Sequence, residues 1–416
     1  MHGIVRKMQK ISYIKLIGAV LMISVLSFNP LVIEQFFSPD KNIGLKSFIK
    51  IMVFDFSIAV LGFILFRYDK LIMKTIFRNK INIKKYLINI ALLIITLLFF
   101  MVFLEIITRI GYNCFSDYNT EMWRYAVEIK QPSNNLNLPF EHAPYRKAFL
   151  YGAEINTNNE GFRADRDYTL NKSGDTFRIL VLGDSVALGW GVNFNETYSQ
   201  LLEKKFNQLN TTNFEVINLG IGNYNTAMEL EILKDKGLKY NPDLIILGYY
   251  INDAEIAPEK LKTDLIGLIK SHSYLYALLG DKYLDLKIGS SADYNYTNYY
   301  SALYKEGFEG KNKAESALKE ISEISKSNKI SLIVVIFPEF HNFKDYAFQN
   351  ATDFVTNISE QENIPYLDLL PYYKEYNPKD IWVSYEDAHP NTLGHKIAAE
   401  AIYSFIENKF LENEES

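Results

Sequence analysis

Residues 177–191 read FRILVLGDSVALGWG, and the reading of the whole chain works outward from them. Phe177 to Leu182 is a short apolar run closed by Gly183, which fits a buried strand, and the residues after Ser185 fit a helix. A strand that ends in Gly183-Asp184-Ser185 sets a hydroxyl at the carboxyl edge of a sheet. In an open α/β fold that edge is where ligands bind, beside backbone N–H groups able to stabilise an oxyanion. The tripeptide alone carries little weight, since about one unrelated chain in ten of this length holds it by chance. Its surroundings decide what it means.

Downstream, short β-rich runs alternate with helical ones, which is the pattern of a parallel sheet. Strands are predicted over Phe177–Leu182, Phe214–Asn218, Leu244–Tyr249 and Leu332–Phe337, with helices over Tyr198–Leu209, Ala227–Gly237, Lys313–Ser327 and Leu393–Phe410. Three more motifs fall at strand ends or just before helices. VINLGIGNYNT (216–226) runs a strand into a tight turn, PDLIILGYYINDAE (242–255) delivers Asn252 and Asp253 to the same edge, and YEDAHPNTLGHKIAAEAI (385–402) places Asp387, His389 and His395 before the terminal helix. Taken singly, each reads as a turn or a helix cap. Spaced through one domain in this order, they read as parts of one site.

The region from about Phe177 to Phe410, roughly half of the chain, resembles the SGNH/GDSL hydrolases, whose four blocks bring serine, glycine, asparagine and histidine together. NNEGFR at 158–163 and HPN with a later GH are similar to the membrane-tethered members of that family. The resemblance implies an α/β fold, a three-layer α/β/α sandwich on a parallel sheet of flavodoxin-like type, that hydrolyses esters or transfers acyl groups without a metal or other cofactor. Carried over by residue, it implies Ser185 as nucleophile and His389 as its base, with Asp387 orienting the imidazole. It also implies an oxyanion hole made of the Ser185 N–H, a backbone N–H of Gly222 or Asn223, and the Asn252 side-chain amide. Departures stand beside these matches. Asn223 occupies the place of the second-block glycine and tolerates left-handed geometry. Tyr250 replaces a glycine two residues before Asn252. The usual acid position holds Glu386, whose longer side chain competes with Asp387 for the histidine; Asp387 is preferred because Asp-x-His-Pro-Asn recurs in the membrane-tethered members. His395 is read as a packing or capping residue, and Asp184 as a support for the nucleophile loop.

The amino-terminal quarter faces a different solvent. Leu16 to Ile33 and Tyr86 to Leu104 carry no charge, and each is long enough to cross a hydrocarbon layer about 30 Å thick as a helix. Phe48 to Phe66 is a third span despite Lys50 and Asp55. The expected organisation is a membrane anchor over 1–109 with helices near 14–33, 48–66 and 86–106, and a stalk or arm over 110–176 broken by Pro132, Pro139 and Pro144. The hydrolase-like domain follows over 177–412, with an insertion at 256–312. Basic residues gather before the first span and between the second and third, from Arg67 to Lys85. The positive-inside rule therefore puts both segments in the cytoplasm and the carboxyl-terminal domain outside a multi-pass membrane protein. The insertion's Tyr294, Tyr296, Tyr299, Tyr300 and Tyr304 read as a packed aromatic layer, with a sugar-stacking platform as the alternative.

Composition narrows the function classes. The formal net charge over 416 residues is −5, with no lysine or arginine block to grip a phosphate backbone, so nucleic acid is set aside as a partner. A single cysteine, Cys114, excludes an intrachain disulfide and a multi-cysteine metal site. The expected activity is a serine esterase removing O-acyl groups, acetyl first, from a cell-envelope or extracellular glycan. The alternatives are an O-acyltransferase with the same triad, a lysophospholipase or lipase, and a catalytically silent glycan-binding domain.

Overall fold

The computed structural model describes residues 13–28, 45–69, 83–111, 118–208, 212–258, 272–280 and 296–411. The chain divides into two compact units, Met1–Phe115 and Ser116–Ser416.

The larger unit is built on five parallel strands: β1 (Thr176–Gly183), β2 (Asn213–Asn218), β3 (Leu244–Tyr249), β4 (Ser331–Ile336) and β5 (Tyr366–Asp368). Their order across the sheet is β2-β1-β3-β4-β5. Because successive side chains point to opposite faces, each strand feeds two cores. Leu180, Leu182, Ile245, Leu247 and Val334 join the helices Thr226–Asp235, Glu309–Asn328 and Gln349–Glu362 on one face. Ile179, Val181, Ile246, Ile333 and Val335 join the helices Tyr198–Asn207 and Thr392–Ile406 on the other. The result is a doubly wound α/β/α sandwich. Strand order reverses between β1 and β3, so the chain opens a crevice at their carboxyl ends.

Residues 118–176, expected to stand apart as a stalk, are instead built into this unit. The prolines do end any long helix, but short pieces survive them. The helix Tyr118–Glu128 and the antiparallel pair Lys147–Leu150 with Ala153–Asn156 fold back onto the domain. Tyr125, Ile129, Ala148, Leu150 and Ile155 bury together with Leu188 and Trp190, just beyond Ser185. Within the insertion, Tyr296, Tyr300 and Tyr304 pack against the first core and Tyr299 is exposed; Tyr294 lies outside the described residues.

The smaller unit contains the helices Tyr13–Phe28, Leu45–Arg67 and Ile83–Gly111. The first two touch backbone to backbone where Gly18 meets Gly62, since a Cβ on Gly18 would lie 2.6 Å from the Gly62 carbonyl oxygen. Where three spans were expected, one helix among the described residues is long and apolar enough to cross a membrane, Asn89–Gly111, with mean hydropathy 3.0. The helix Tyr13–Phe28 reaches about 24 Å at 1.5 Å per residue, short of a hydrocarbon layer, and residues 29–33 of its expected span lie outside the described ones.

Candidate active site

The loop after β1 is shaped before any chemistry is considered. Asp184 caps the one-turn helix Ser185–Leu188 by accepting the Val186 N–H at 2.8 Å, and Gly189 closes that helix with φ +81°. Asn218 at the end of β2 donates to the Ala187 carbonyl at 2.6 Å. Gly220 comes so close behind it that a Cβ would sit 2.4 Å from the Leu188 nitrogen, which only glycine permits. These contacts leave Ser185 little room to be anywhere else.

Against it stands the segment before the terminal helix. His389 Nε2 lies 2.8 Å from Ser185 Oγ, and His389 Nδ1 lies 2.5 Å from Asp387 Oδ1. A carboxylate facing Nδ1 fixes the proton there and leaves Nε2 free to accept from the serine. Asp387 folds back over two positions because the His389 backbone N–H also donates to its Oδ1, at 3.0 Å, while the Trp190 indole N–H donates to Oδ2 at 2.9 Å. Glu386 is exposed. Burial disfavours the charged imidazole of His389, but Asp387 outweighs it and holds the pKa above the ordinary 6.5. The partner effect is reciprocal. Burial pushes the Asp387 carboxyl up, and His389 together with the hydrogen bonds brings it below its usual value.

Asn252, after β3, donates its amide to Asp184 Oδ2 at 3.0 Å and has a second amide hydrogen uncommitted to any described residue. Asp184 is fully buried, and burial raises its pKa against those hydrogen bonds and His389. The two candidate backbone donors of the second block part company. The Gly222 N–H is taken by the Tyr125 hydroxyl at 2.9 Å, whereas the Asn223 N–H donates to no described residue. Asn223 has φ +67°. The β1–β2 ladder runs on past the strands, with Leu219 N bonded to Val181 O and Ile221 N to Gly183 O. His395 is buried, accepts the Tyr198 N–H at Nδ1 and stacks on the Tyr198 ring, and burial lowers its pKa to about 3.

Several residues that the motifs did not single out complete the surroundings. Tyr118 stacks on His389 at 6.1 Å between centroids, and Tyr151 stacks on Trp190 at 5.9 Å. Arg163, the last residue of NNEGFR, is buried and donates to the carbonyls of Leu188, Gly189 and Val192 at 2.7, 2.6 and 2.6 Å. The motif contains the residue, but nothing local says what it holds. Among the described residues no group of three or more His, Cys, Asp or Glu side chains is arranged to hold a metal ion.

A doubly wound sheet with a serine, an imidazole and a carboxylate in line at its carboxyl edge is the framework of ester-hydrolysing enzymes that act through a serine. The GDSL-like Lipase/Acylhydrolase family matches residues 181–397, and the chain belongs to that family of ester-hydrolysing enzymes. Among solved structures, a two-domain esterase active on acetylated mannans is similar at 17% identity and TM-score 0.38, covering 56% of this chain and 50% of that one. The esterase EstA from Pseudoalteromonas sp. is similar at 17% identity and TM-score 0.37, covering 56% of this chain and 98% of that one. A mutant of an acetyl-xylooligosaccharide esterase from Geobacillus Stearmophilus stands at 17% identity and TM-score 0.37, covering 57% and 96%. No curated protein matches the sequence.

Proposed function

We propose that the protein is a serine esterase in which Ser185 is the nucleophile, His389 the general base and Asp387 the residue that orients it. The observation that carries this reading is the line from Ser185 Oγ through His389, 2.8 Å away, to Asp387. Ser185 Oγ attacks the acyl carbon while its proton passes to His389 Nε2, and the N–H groups of Ser185 and Asn223 with the Asn252 amide receive the developing oxyanion. His389 then returns the proton to the departing alkoxide. In the second half, water gives a proton to His389 and its hydroxide to the acyl carbon, and Ser185 recovers its proton as the acid leaves.

The substrate class is small O-acyl esters, acetyl first, on saccharides of the cell envelope, with the catalytic unit outside a multi-pass anchor. Its support is the expected topology and Tyr250, a bulky ring stacked on Phe340 at 6.2 Å where relatives of this kind are expected to carry a glycine two residues before Asn252. The experiment is fluorophosphonate labelling and turnover of the full-length protein on aryl acetate, butyrate, octanoate and palmitate, then on an O-acetylated oligosaccharide. Labelling that Ser185→Ala abolishes, with rates falling as the acyl chain lengthens, is the expected result. Ordinary turnover in Ser185→Ala would sink the mechanism. Rates rising to palmitate would point to a lipase, and transfer to an added oligosaccharide exceeding hydrolysis would point to a transferase.

A further inference from the structure

The turn that carries Asn223 is gripped by residues outside the hydrolase motifs. Lys130 is buried, and its Nζ donates to the Gly222 carbonyl at 2.6 Å and to Asn223 Oδ1 at 3.0 Å. It makes no ion pair with a described residue, burial pushes its pKa well below the ordinary lysine value, and its Nζ lies over the rings of Phe140 and Tyr125, at 4.0 and 4.4 Å. The peptide unit whose oxygen it binds is the one joining Gly222 to Asn223, so the N–H at the other end of that unit belongs to Asn223. On the preceding peptide, the Gly222 N–H donates to the Tyr125 hydroxyl at 2.9 Å, and that hydroxyl donates in turn to His142 Nε2 at 2.5 Å. His142 Nδ1 faces the Gly161 carbonyl at 3.0 Å. Gly161 itself has φ +83°, and a Cβ there would strike the His142 carbonyl oxygen at 2.3 Å, so NNEGFR supplies the far anchor of this chain of bonds.

From this geometry we infer that Lys130 and Tyr125 are positioning residues for ester hydrolysis, fixing and polarising the Gly222–Asn223 peptide so that its N–H serves the oxyanion. A donor bound to a carbonyl strengthens the hydrogen bond that the same peptide makes through its N–H. Asn223 is the exposed, left-handed residue of an otherwise buried turn, and the bond from Lys130 Nζ to its Oδ1 holds it in one orientation. The inference rests on the serine mechanism proposed above. It adds that the segment 118–163 is part of the active site's construction.

The test uses the full-length protein in detergent micelles and an aryl acetate. Lys130→Met keeps the aliphatic stem and removes the donors. It should lower kcat about 10- to 100-fold with KM within about twofold, less than the 10²- to 10³-fold loss typical of deleting an oxyanion donor outright. Lys130→Arg should recover part of the loss, and Tyr125→Phe should lower kcat in the same way while keeping the ring. Acylation, read from fluorophosphonate labelling, and deacylation, read from the steady state after the burst, should fall together, because both pass through a tetrahedral oxyanion. Wild-type kcat in Lys130→Met would overturn the inference. So would a loss no larger than the unfolded fraction measured by thermal melting. Should Lys130→Met fail to fold, wild-type kcat in Tyr125→Phe would overturn it. Turnover surviving Ser185→Ala would sink the underlying mechanism, whereas Ser185-dependent turnover indifferent to Lys130 and Tyr125 would sink this inference alone.

Discussion

Asp387 and Glu386 are neighbours in the chain with opposite surroundings, and the difference sets the first expectation. Asp387 is buried with three donors on its carboxylate, while Glu386 reaches into solvent. Asp387→Asn should lower kcat by about 10²- to 10⁴-fold, because an amide at Nδ1 favours the wrong tautomer. Glu386→Gln should stay within about twofold, and the reverse ranking in steady-state kinetics would move the orienting role to Glu386. The same pair fixes a pH dependence. Catalysis needs His389 neutral, and the net effect of Asp387 over burial raises its pKa, so activity should fall as pH drops through a midpoint above 6.5. In Asp387→Asn that acid limb should move to lower pH, and a pH–rate profile of kcat/KM is the check. At this scale much was legible in the sequence. Ser185, Asn252, Asp387 and His389 sit in motifs whose order is readable, and the structure brings all four to one sheet edge. The choice between Gly222 and Asn223 was not legible, because it depends on a hydroxyl of Tyr125, 97 positions away.

At the scale of elements, four strands and four helices fall within a few residues of where hydrophobic period placed them. β5 escaped because three residues give no period to read, and the helix Gln349–Glu362 because no side chain caps its start. The larger miss, the folding of 118–176 into the domain, has one physical cause. Its burial comes from aliphatic and aromatic side chains of short elements meeting residues far along the sequence, such as Leu188 and Trp190, which no local pattern encodes. Arg163 shows how much rests on it. Its guanidinium is fully buried, burial lowers its pKa to about 10, and it serves carbonyls of the nucleophile loop and of Glu154 without a carboxylate partner. Replacing it with leucine strands at least three buried acceptors at about 1–3 kcal/mol each. Arg163→Leu should therefore cost about 3 kcal/mol or more, lowering the melting temperature by roughly 6–12 °C, and should slow labelling of Ser185. A variant melting within two or so degrees of wild type would show that the loop holds itself.

For the molecule as a whole, the proposed envelope location carries a prediction about which side of a membrane the catalytic unit faces. Asn89–Gly111 is a helix of 23 residues with mean hydropathy 3.0, sufficient to span. Orientation then follows from charge. Arg67, Lys70, Lys74, Arg78, Lys80, Lys84 and Lys85 precede that helix, whereas Arg109 alone is basic in the stretch from Tyr86 to Tyr118. Basic residues close to a span are retained on the cytoplasmic side, so the proposed envelope location predicts that the chain after this helix lies on the other side from them. The same conclusion holds whether one or three helices cross, since both odd numbers carry the chain over. We therefore expect a reporter enzyme that works only after export, fused behind Ser416, to be active, and a reporter that works only in the cytoplasm to be silent at the same junction. Replacing five of the seven basic residues with glutamine should weaken that bias and raise the cytoplasmic signal. A strong cytoplasmic signal from the unaltered chain would leave the hydrolase chemistry untouched but remove the envelope glycan as its substrate.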